Sequence, residues 1–179
     1  MKPIRYIALL RGINVGGHKQ VKMEELKKTL ESLGFQNVKT MLNSGNVIFE
    51  IDEINSSLLK NKIEAGLKSD FGHEIAVLLR THDELRALQK ADPFKDIKGT
   101  PEARLYVTFF SEKPVTHLKL HFETPEKDFK VVRVSDREIC TVLTLSKKRG
   151  TTDSMDILEK TYGKKVTTRN WNTVIRLLS

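Results

Sequence analysis

Apolar and polar positions follow two different rhythms along the first half of the chain. Residues 4–10 form a continuous apolar run that is typical of a buried strand. Residues 23–33 instead carry apolar side chains at helical spacing, and Gly34 stands where that helix should end. The full pattern predicts strands at 4–10, 37–42, 46–51 and 74–80, with helices at 23–33 and 56–72. This β-α-β-β-α-β order is that of the ferredoxin-like arrangement.

The second half repeats most of this order, although its residues show no clear identity with the first. The pattern predicts a connector helix at 81–91, strands at 104–110, 129–134 and 138–145, a helix after Pro114, and helices near 154–162 and 170–178. We therefore predict an α+β fold of two ferredoxin-like (α/β-plait) units packed together, the first βαββαβ and the second βαββα with an extra C-terminal helix. The predicted boundaries are 1–80 for the first unit, 81–103 for the connector and 104–179 for the second unit.

Several predicted strands are apolar at nearly every position, which is typical of strands covered on both faces. Many proteins of this fold bind RNA on an open sheet face that carries exposed aromatic rings. Here Tyr6 and Phe49 lie in apolar runs without the aromatic-rich signature of that module, so core packing is the better interpretation for both.

The basic charge of the chain favours an anionic partner. The formal net charge is +8, and residues 147–179 hold eight Lys or Arg against three acidic residues. Such an excess is typical of proteins that contact nucleic acid, nucleotides or anionic surfaces, but it also fits an ordinary solvated surface.

The location and redox environment follow from what the sequence lacks. No apolar run approaches the ~18 residues that span a bilayer, and the amino terminus lacks a signal-peptide pattern. Cys140 is the single cysteine, which excludes an internal disulfide and predicts a buried, inert thiol. We expect a cytoplasmic protein with no membrane partner. The sequence carries no information about its oligomeric state.

The segment between the first strand and the first helix, Arg11–Val21, holds three glycines and is longer than such connections usually are. Gly12 and Gly17 have the spacing of a phosphate-binding loop. However, His18 stands where the lysine should be and no Ser or Thr follows, which argues against a nucleotide-hydrolysing P-loop. The pattern still fits a simpler anion cradle of backbone N–H groups and basic side chains. The alternative is that the glycines only allow the backbone to turn.

The predicted strand order places a second loop beside the Arg11–Val21 segment. In a βαββαβ unit the first and third strands are adjacent and antiparallel, so the end of one lies beside the start of the other. The Arg11–Val21 loop should therefore lie next to the Asn43–Asn46 hairpin turn. We expect this edge to bind an anionic ligand. Including the last helix, the candidate ligand-binding residues are Arg11, Gly12, Asn14, Gly16, Gly17, Lys19, Ser44, Gly45, Asn46, Arg169 and Asn170.

The last helix adds two of these candidates. Thr168 or Asn170 can cap it, which would leave Arg169 beside free N–H groups at its positive end. Trp171 begins an apolar face and is predicted to be a core anchor. An ordinary capped helix would have the same sequence pattern.

The sequence gives weaker indications of a metal site or a catalytic residue. The five histidines show no recognisable metal-ligand spacing with carboxylates or cysteine, so we predict no metal site and no cofactor. His18 is the one candidate for a general acid or base, although neither loop holds a carboxylate to orient it.

Three blocks of the sequence, "LLRGINVGGHKQVKMEEL", "LNSGNVIFE" and "TTRNWNTV", closely resemble a bacterial family described as domain of unknown function 1697. The resemblance extends from Tyr6 nearly to the end. It implies paired ferredoxin-like units and points to the same three blocks: Arg11, Gly12, Asn14, Gly16 and Gly17; Ser44, Gly45 and Asn46; Thr168, Arg169, Asn170 and Trp171. It implies no reaction.

Three hypotheses for function follow. The first is binding of a nucleotide, a sugar phosphate or another phosphorylated metabolite, or a nucleic-acid backbone at the Arg11–Val21 and Asn43–Asn46 edge. The second is an enzyme acting on a small phosphorylated or polar metabolite, with His18 as acid or base. The third is a structural or interaction module with no ligand. The sequence does not decide whether the protein is an enzyme.

Overall fold

The computed structural model describes residues 3–15, 19–52, 55–97, 99–112, 122–145, 158 and 162–179. By its internal contacts the chain divides into two compact units, Met1–Leu85 and Arg86–Ser179. The described part is an α+β structure with two four-stranded antiparallel sheets and four α-helices. Among the described residues, no helix is both long and apolar enough to span a lipid bilayer.

The first unit follows the predicted element order. Its elements are β1 (Ile4–Leu10), α1 (Met23–Ser32), β2 (Gln36–Met41), β3 (Asn46–Ile51), α2 (Ser56–Phe71) and β4 (Val77–Thr81). The strands lie in the order β2-β3-β1-β4, so the first and third strands are neighbours. This order is consistent with a ferredoxin-like unit. The connector helix α3 (His82–Lys90) follows directly.

The ends of α2 show how local chemistry sets element boundaries. The side chain of Asn55 accepts hydrogen bonds from the N–H groups of Ser57 and Leu58, which satisfies donors that have no partner within the helix. At the other end Gly72 adopts a left-handed conformation with φ +73° and donates its N–H to the Lys68 carbonyl oxygen. The predicted end of the helix at Gly72 is confirmed.

The core of the first unit lies between the sheet and its two helices. The apolar faces predicted for α1 and α2 are buried there, together with alternate residues of β1. Tyr6 and Phe49 stack with ring centroids 5.9 Å apart, so their assignment to the core is confirmed. Ile7 and Ala8 are neighbours that point to opposite faces of β1, and both are fully buried.

The second unit contains one more strand than the sequence predicted. Its elements are β5 (Ala103–Phe110), β6 (Phe129–Val134), β7 (Glu138–Thr144), a 3₁₀ turn (Gly163–Lys165), β8 (Val166–Asn170) and α4 (Trp171–Arg176). The strand β8 pairs with β5, and the strands lie in the order β6-β7-β5-β8. The predicted arrangement of this unit lacked β8. The helix predicted after Pro114 lies outside the described residues, as does most of the helix predicted near 154–162.

The two sheets repeat one arrangement in their last strands. In the first, Arg80 of β4 pairs with Ile7 of β1. In the second, Arg169 of β8 pairs with Val107 of β5. Both arginines are buried, and the residue after each one caps the following helix: Thr81 precedes α3 and Asn170 precedes α4. This correspondence supports the repeat that the element order predicted.

Candidate functional site

The loop after β1 is held at its start by the two segments on either side of it. The N–H of Leu10 donates to the carbonyl oxygen of Gly45 over 2.8 Å, and the N–H of Arg11 donates to that of Ala76 over 2.9 Å. The first bond reaches the Asn43–Asn46 turn, so the two loops meet as the predicted topology requires. The guanidinium-bearing side chain of Arg11 is half-buried at this junction.

Asn14 connects the loop to the turn and closes the loop on itself. Its Nδ2 donates to the carbonyl oxygens of Asn43 at 2.8 Å and Val21 at 2.9 Å, while its Oδ1 accepts from the N–H of Val21 at 2.8 Å. Its φ of +56° is one that asparagine tolerates better than most side chains. The amide of Asn14 therefore fixes the shape of this edge.

Gly45 is required where the loop packs against the turn. It adopts φ +73°, and a Cβ atom added to it would lie 2.5 Å from Cδ1 of Ile13 and 2.8 Å from Cβ of Leu10. Only glycine fits both the conformation and this close approach. At Gly12, which has φ +67°, an added Cβ atom would meet nothing within 4 Å, so glycine is favoured there by its backbone conformation alone.

Asn46 stabilises the turn from inside. Its side chain is fully buried, and its Nδ2 donates to the Met41 carbonyl oxygen and to Ser44 Oγ, both over 3.0 Å. These bonds close the turn between β2 and β3 and hold the hydroxyl of Ser44 against it. The predicted ligand-binding role of Ser44 and Asn46 stays a prediction.

Two lysines border the edge. Lys19 donates from Nζ to the carbonyl oxygen of Glu74 over 2.9 Å, which fastens the far side of the loop to the segment before β4. Lys22 is the N-cap residue of α1. Its ammonium is largely exposed and lies 3.3 Å from a carboxylate oxygen of Glu25.

A groove of about 490 Å³ opens between the loop, the turn and the start of α1. Both loops contribute to its lining, which consists of Asn14, Gln20, Val21, Lys22, Met23, Glu24 and Asn43. In the described structure no side chain caps the N-terminus of α1, so its first N–H groups lie at the groove without an intrahelical acceptor. The helix dipole adds partial positive charge there.

Of the seven residues that line this groove, Asn14 was among the sequence candidates, and six were not: Gln20, Val21, Lys22, Met23, Glu24 and Asn43. The signal that could have identified them was present, because the predicted start of α1 at Met23 places its first turn beside the loop. The prediction followed the glycines and did not include the helix that follows them.

Arg169 lies in the second unit, on β8. Its side chain is buried, and its Nη1 donates to Thr167 Oγ1 at 2.8 Å and to the Thr168 carbonyl oxygen at 2.9 Å. Burial lowers the pKa of this guanidinium to about 10. Asn170 caps α4 by accepting from the N–H of Asn172, which confirms one of the two predicted caps.

Three of the sequence candidates, Gly16, Gly17 and His18, lie outside the described residues. So do two of the five histidines of the chain, His117 and His121. Within the described part of the chain, no group of histidine, cysteine and carboxylate side chains is arranged to hold a metal ion.

The side chain of Cys140 is fully buried on β7. Burial raises the pKa of its thiol to about 12, so the group is neutral at physiological pH and unsuited to nucleophilic chemistry. This agrees with the inert thiol predicted from the sequence.

Comparison with known proteins identifies a family and a similar fold. A family model described as "Protein of unknown function (DUF1697)" matches residues 4–139. The conserved bacterial protein SP0830 from Streptococcus pneumoniae has a similar solved structure. Its TM-score is 0.74 with 23% sequence identity, and the match covers 98% of this chain and 97% of that one. At that identity the likeness concerns the fold alone. No curated protein matches significantly.

Proposed function

The chain belongs to the DUF1697 family, and we propose that it binds a small anionic ligand in the groove between the Arg11–Val21 loop and the Asn43–Asn46 turn. One observation carries the proposal: two loops distant in sequence are hydrogen-bonded into one wall, and that wall meets an uncapped helix start. Backbone N–H groups at such a position favour an anion.

Two charged side chains line the groove, those of Lys22 and Glu24, so the positive charge for an anion comes from Lys22 and from the N–H groups at the start of α1. Lys19 and Arg11 belong to the adjoining loop and do not line the groove. The ammonium of Lys22 lies on an exposed side chain, so it can leave Glu25 for a ligand at little cost. The groove volume falls within the range of ~300–1,000 Å³ that is usual for small-molecule sites.

The thermal stability of the protein with added ligands tests this proposal. The probes are pyrophosphate, ribose 5-phosphate, adenosine 5′-monophosphate and single-stranded RNA, each at two salt concentrations. Binding to the folded state raises the unfolding temperature. We expect a rise with at least one small phosphate compound, and a smaller rise for the Lys22→Gln and Arg11→Ala variants.

Lys27→Gln is the matched control for Lys22→Gln. It removes the same charge from the same helix and breaks a similar exposed ion pair, Lys27–Glu31 at 3.7 Å, but Lys27 does not line the groove. If Lys22→Gln and Lys27→Gln weaken binding equally, the ligand is not in the groove.

A structural module without a ligand is the second candidate function. The amide groups of Asn14 and Asn46 are engaged with backbone carbonyl oxygens, which favours a role in holding the fold. Unchanged unfolding temperatures with every probe would support this candidate.

A further inference from the structure

The two edges of the first sheet are protected in different ways. An unpaired strand edge is a template for pairing with another chain, so folded proteins usually cover or interrupt it. At the β4 edge, side chains engage backbone N–H groups at both ends of the strand. Glu64 accepts from the Val77 N–H at 2.9 Å, and Glu84 accepts from the Thr81 N–H at 2.7 Å.

The β2 edge has no such cover. Within the described part of the chain, the backbone of β2 bonds to β3 and to no other segment. The strand is irregular instead: a β-bulge lies between Gln36 and Lys39, and Asn37 within it has φ +53°. A bulge bends and twists an edge strand, so a regular strand cannot pair along it. The exposed Lys39 adds a charge that such pairing would bring against another chain.

One carboxylate fastens this bulge to the interior of the sheet. Glu50 lies on β3, paired with Arg5 of β1 on one side and with Gln36 of β2 on the other. Its Oε2 accepts from Asn37 Nδ2 at 2.6 Å, and its Oε1 accepts from Arg5 Nε at 2.9 Å and Nη2 at 2.7 Å. The Glu50 side chain is 14% exposed, and this burial strengthens the charge-assisted bonds. We call Arg5, Asn37 and Glu50 the edge latch.

We infer that the edge latch is a built-in block on self-association: it holds the bulge that keeps β2 from pairing with the β2 strand of a second copy of this chain. A second copy is the partner because an edge strand is complementary to itself, and two copies can pair antiparallel about a two-fold axis. Val38 and Thr40 favour extended strands, so the bulge is what interrupts a regular ladder here. The block operates whether or not the groove binds an anion.

Deletion of Asn37 tests the inference, because it removes the bulge and keeps the register. Between its pairs with β3 at Gln36 and at Lys39, β2 has two residues where β3 has one, Phe49. The deletion leaves both pairs in place and brings Val38 opposite Phe49, in the core that these two side chains already share. In sedimentation velocity on the full chain, we expect this variant to associate at least about tenfold more tightly than the wild type. Hydrogen exchange along β2 should be slower in the associated form.

Asn37→Val is a second variant with the full number of residues. Valine disfavours a positive φ and cannot bond to Glu50, so this variant should also associate, though more weakly than the deletion. Asn61→Val is the matched control, since it makes the same replacement at an exposed position of α2 and should behave as the wild type does. Circular dichroism checks that each variant is folded.

Three results would overturn the inference. In the first, the folded Asn37 variants associate no more tightly than the wild type. In the second, Asn61→Val associates as tightly as Asn37→Val, which would assign the effect to an added apolar side chain. In the third, association leaves exchange along β2 unchanged, so the second copy docks elsewhere. Association of the wild type with slowed exchange along β2 would equally show that the edge latch blocks nothing.

Discussion

Asn14 and Val21 form a reciprocal pair across the loop. The Asn14 Nδ2 donates to the Val21 carbonyl oxygen at 2.9 Å, and the Val21 N–H donates back to Asn14 Oδ1 at 2.8 Å. One side chain thus satisfies both backbone groups of a buried residue, as a neighbouring strand would. The same amide also reaches Asn43, so the pair sets the position of the groove wall.

Asn14→Gly should destabilise the protein by about 1–3 kcal/mol, because the buried backbone groups of Val21 lose their partners. Glycine tolerates φ +56°, so the loss of stability comes from the missing hydrogen bonds and not from backbone strain. Chemical denaturation measures the loss, and hydrogen exchange should show a faster rate at the Val21 amide.

Asn14→Asp separates the two halves of this pair, since it keeps the acceptor for the Val21 N–H and loses both donors. We expect the Val21 amide to stay protected in this variant. Equal exchange rates at Val21 in the wild type and in Asn14→Gly would contradict the assigned role.

Gly45→Ala should cost about 1–3 kcal/mol more than Gly72→Ala. Both glycines have φ +73°, so the strain from the left-handed backbone is matched. Only at Gly45 would the added methyl group collide with Ile13 and Leu10; at Gly72 nothing lies within 4 Å. Urea denaturation of the two variants measures the difference. Equal losses of stability would show that Ile13 moves aside at no cost.

Glu50 should titrate below its ordinary range. The hydrogen bond from Asn37 Nδ2, 2.6 Å long, and then those from Arg5 lower the pKa of this carboxyl. The folded pKa lies below the unfolded one. The ionised Glu50 carboxylate therefore stabilises the folded protein above the unfolded pKa, and this stabilisation is lost as pH falls through the folded pKa.

Asn37→Gly should therefore raise the pKa of Glu50, and so should Arg5→Gln. Glycine suits the φ of +53° at this position. An NMR titration of the Glu50 carboxyl carbon measures both shifts. Any stability difference between Asn37→Gly and the wild type that persists after Glu50 is protonated arises from another source.

Asn170→Ala should destabilise the protein by about 1 kcal/mol, because its Oδ1 caps α4. Asn170→Asp keeps the capping oxygen and adds a charge that the helix dipole favours, so it should retain most of the stability. Thermal unfolding of the two variants measures both effects. Equal destabilisation by alanine and aspartate would show that the side-chain nitrogen is the important group.

Local sequence signals account for much of the first unit. The helix α2 is an example: Asn55 caps its start and Gly72 ends it, and neither signal depends on distant parts of the chain. The meeting of the two loops followed from the strand order alone. The reciprocal bonding of Asn14 did not, because it depends on a positive φ that the sequence does not reveal.

The strand β8 was missed for a different reason. Residues Val166–Asn170 contain no apolar run, and their pairing with β5 joins segments about sixty residues apart. The β-branched residues Val166, Thr167 and Thr168 were the available signal. The helical spacing that begins at Trp171 is the stronger pattern. The sequence therefore predicts that residues 166–170 lead into the last helix and does not predict a strand there.

The buried thiol of Cys140 has a practical consequence for all the binding experiments. Since it is the single cysteine of the chain and is neutral and inaccessible in the folded protein, a cysteine introduced on the surface becomes the one reactive handle. Gln20→Cys would place an environment-sensitive dye in the groove, and Leu58→Cys would place the same dye on α2. Fluorescence changes at the first site and not at the second would then report occupancy of the groove directly, without any knowledge of a reaction.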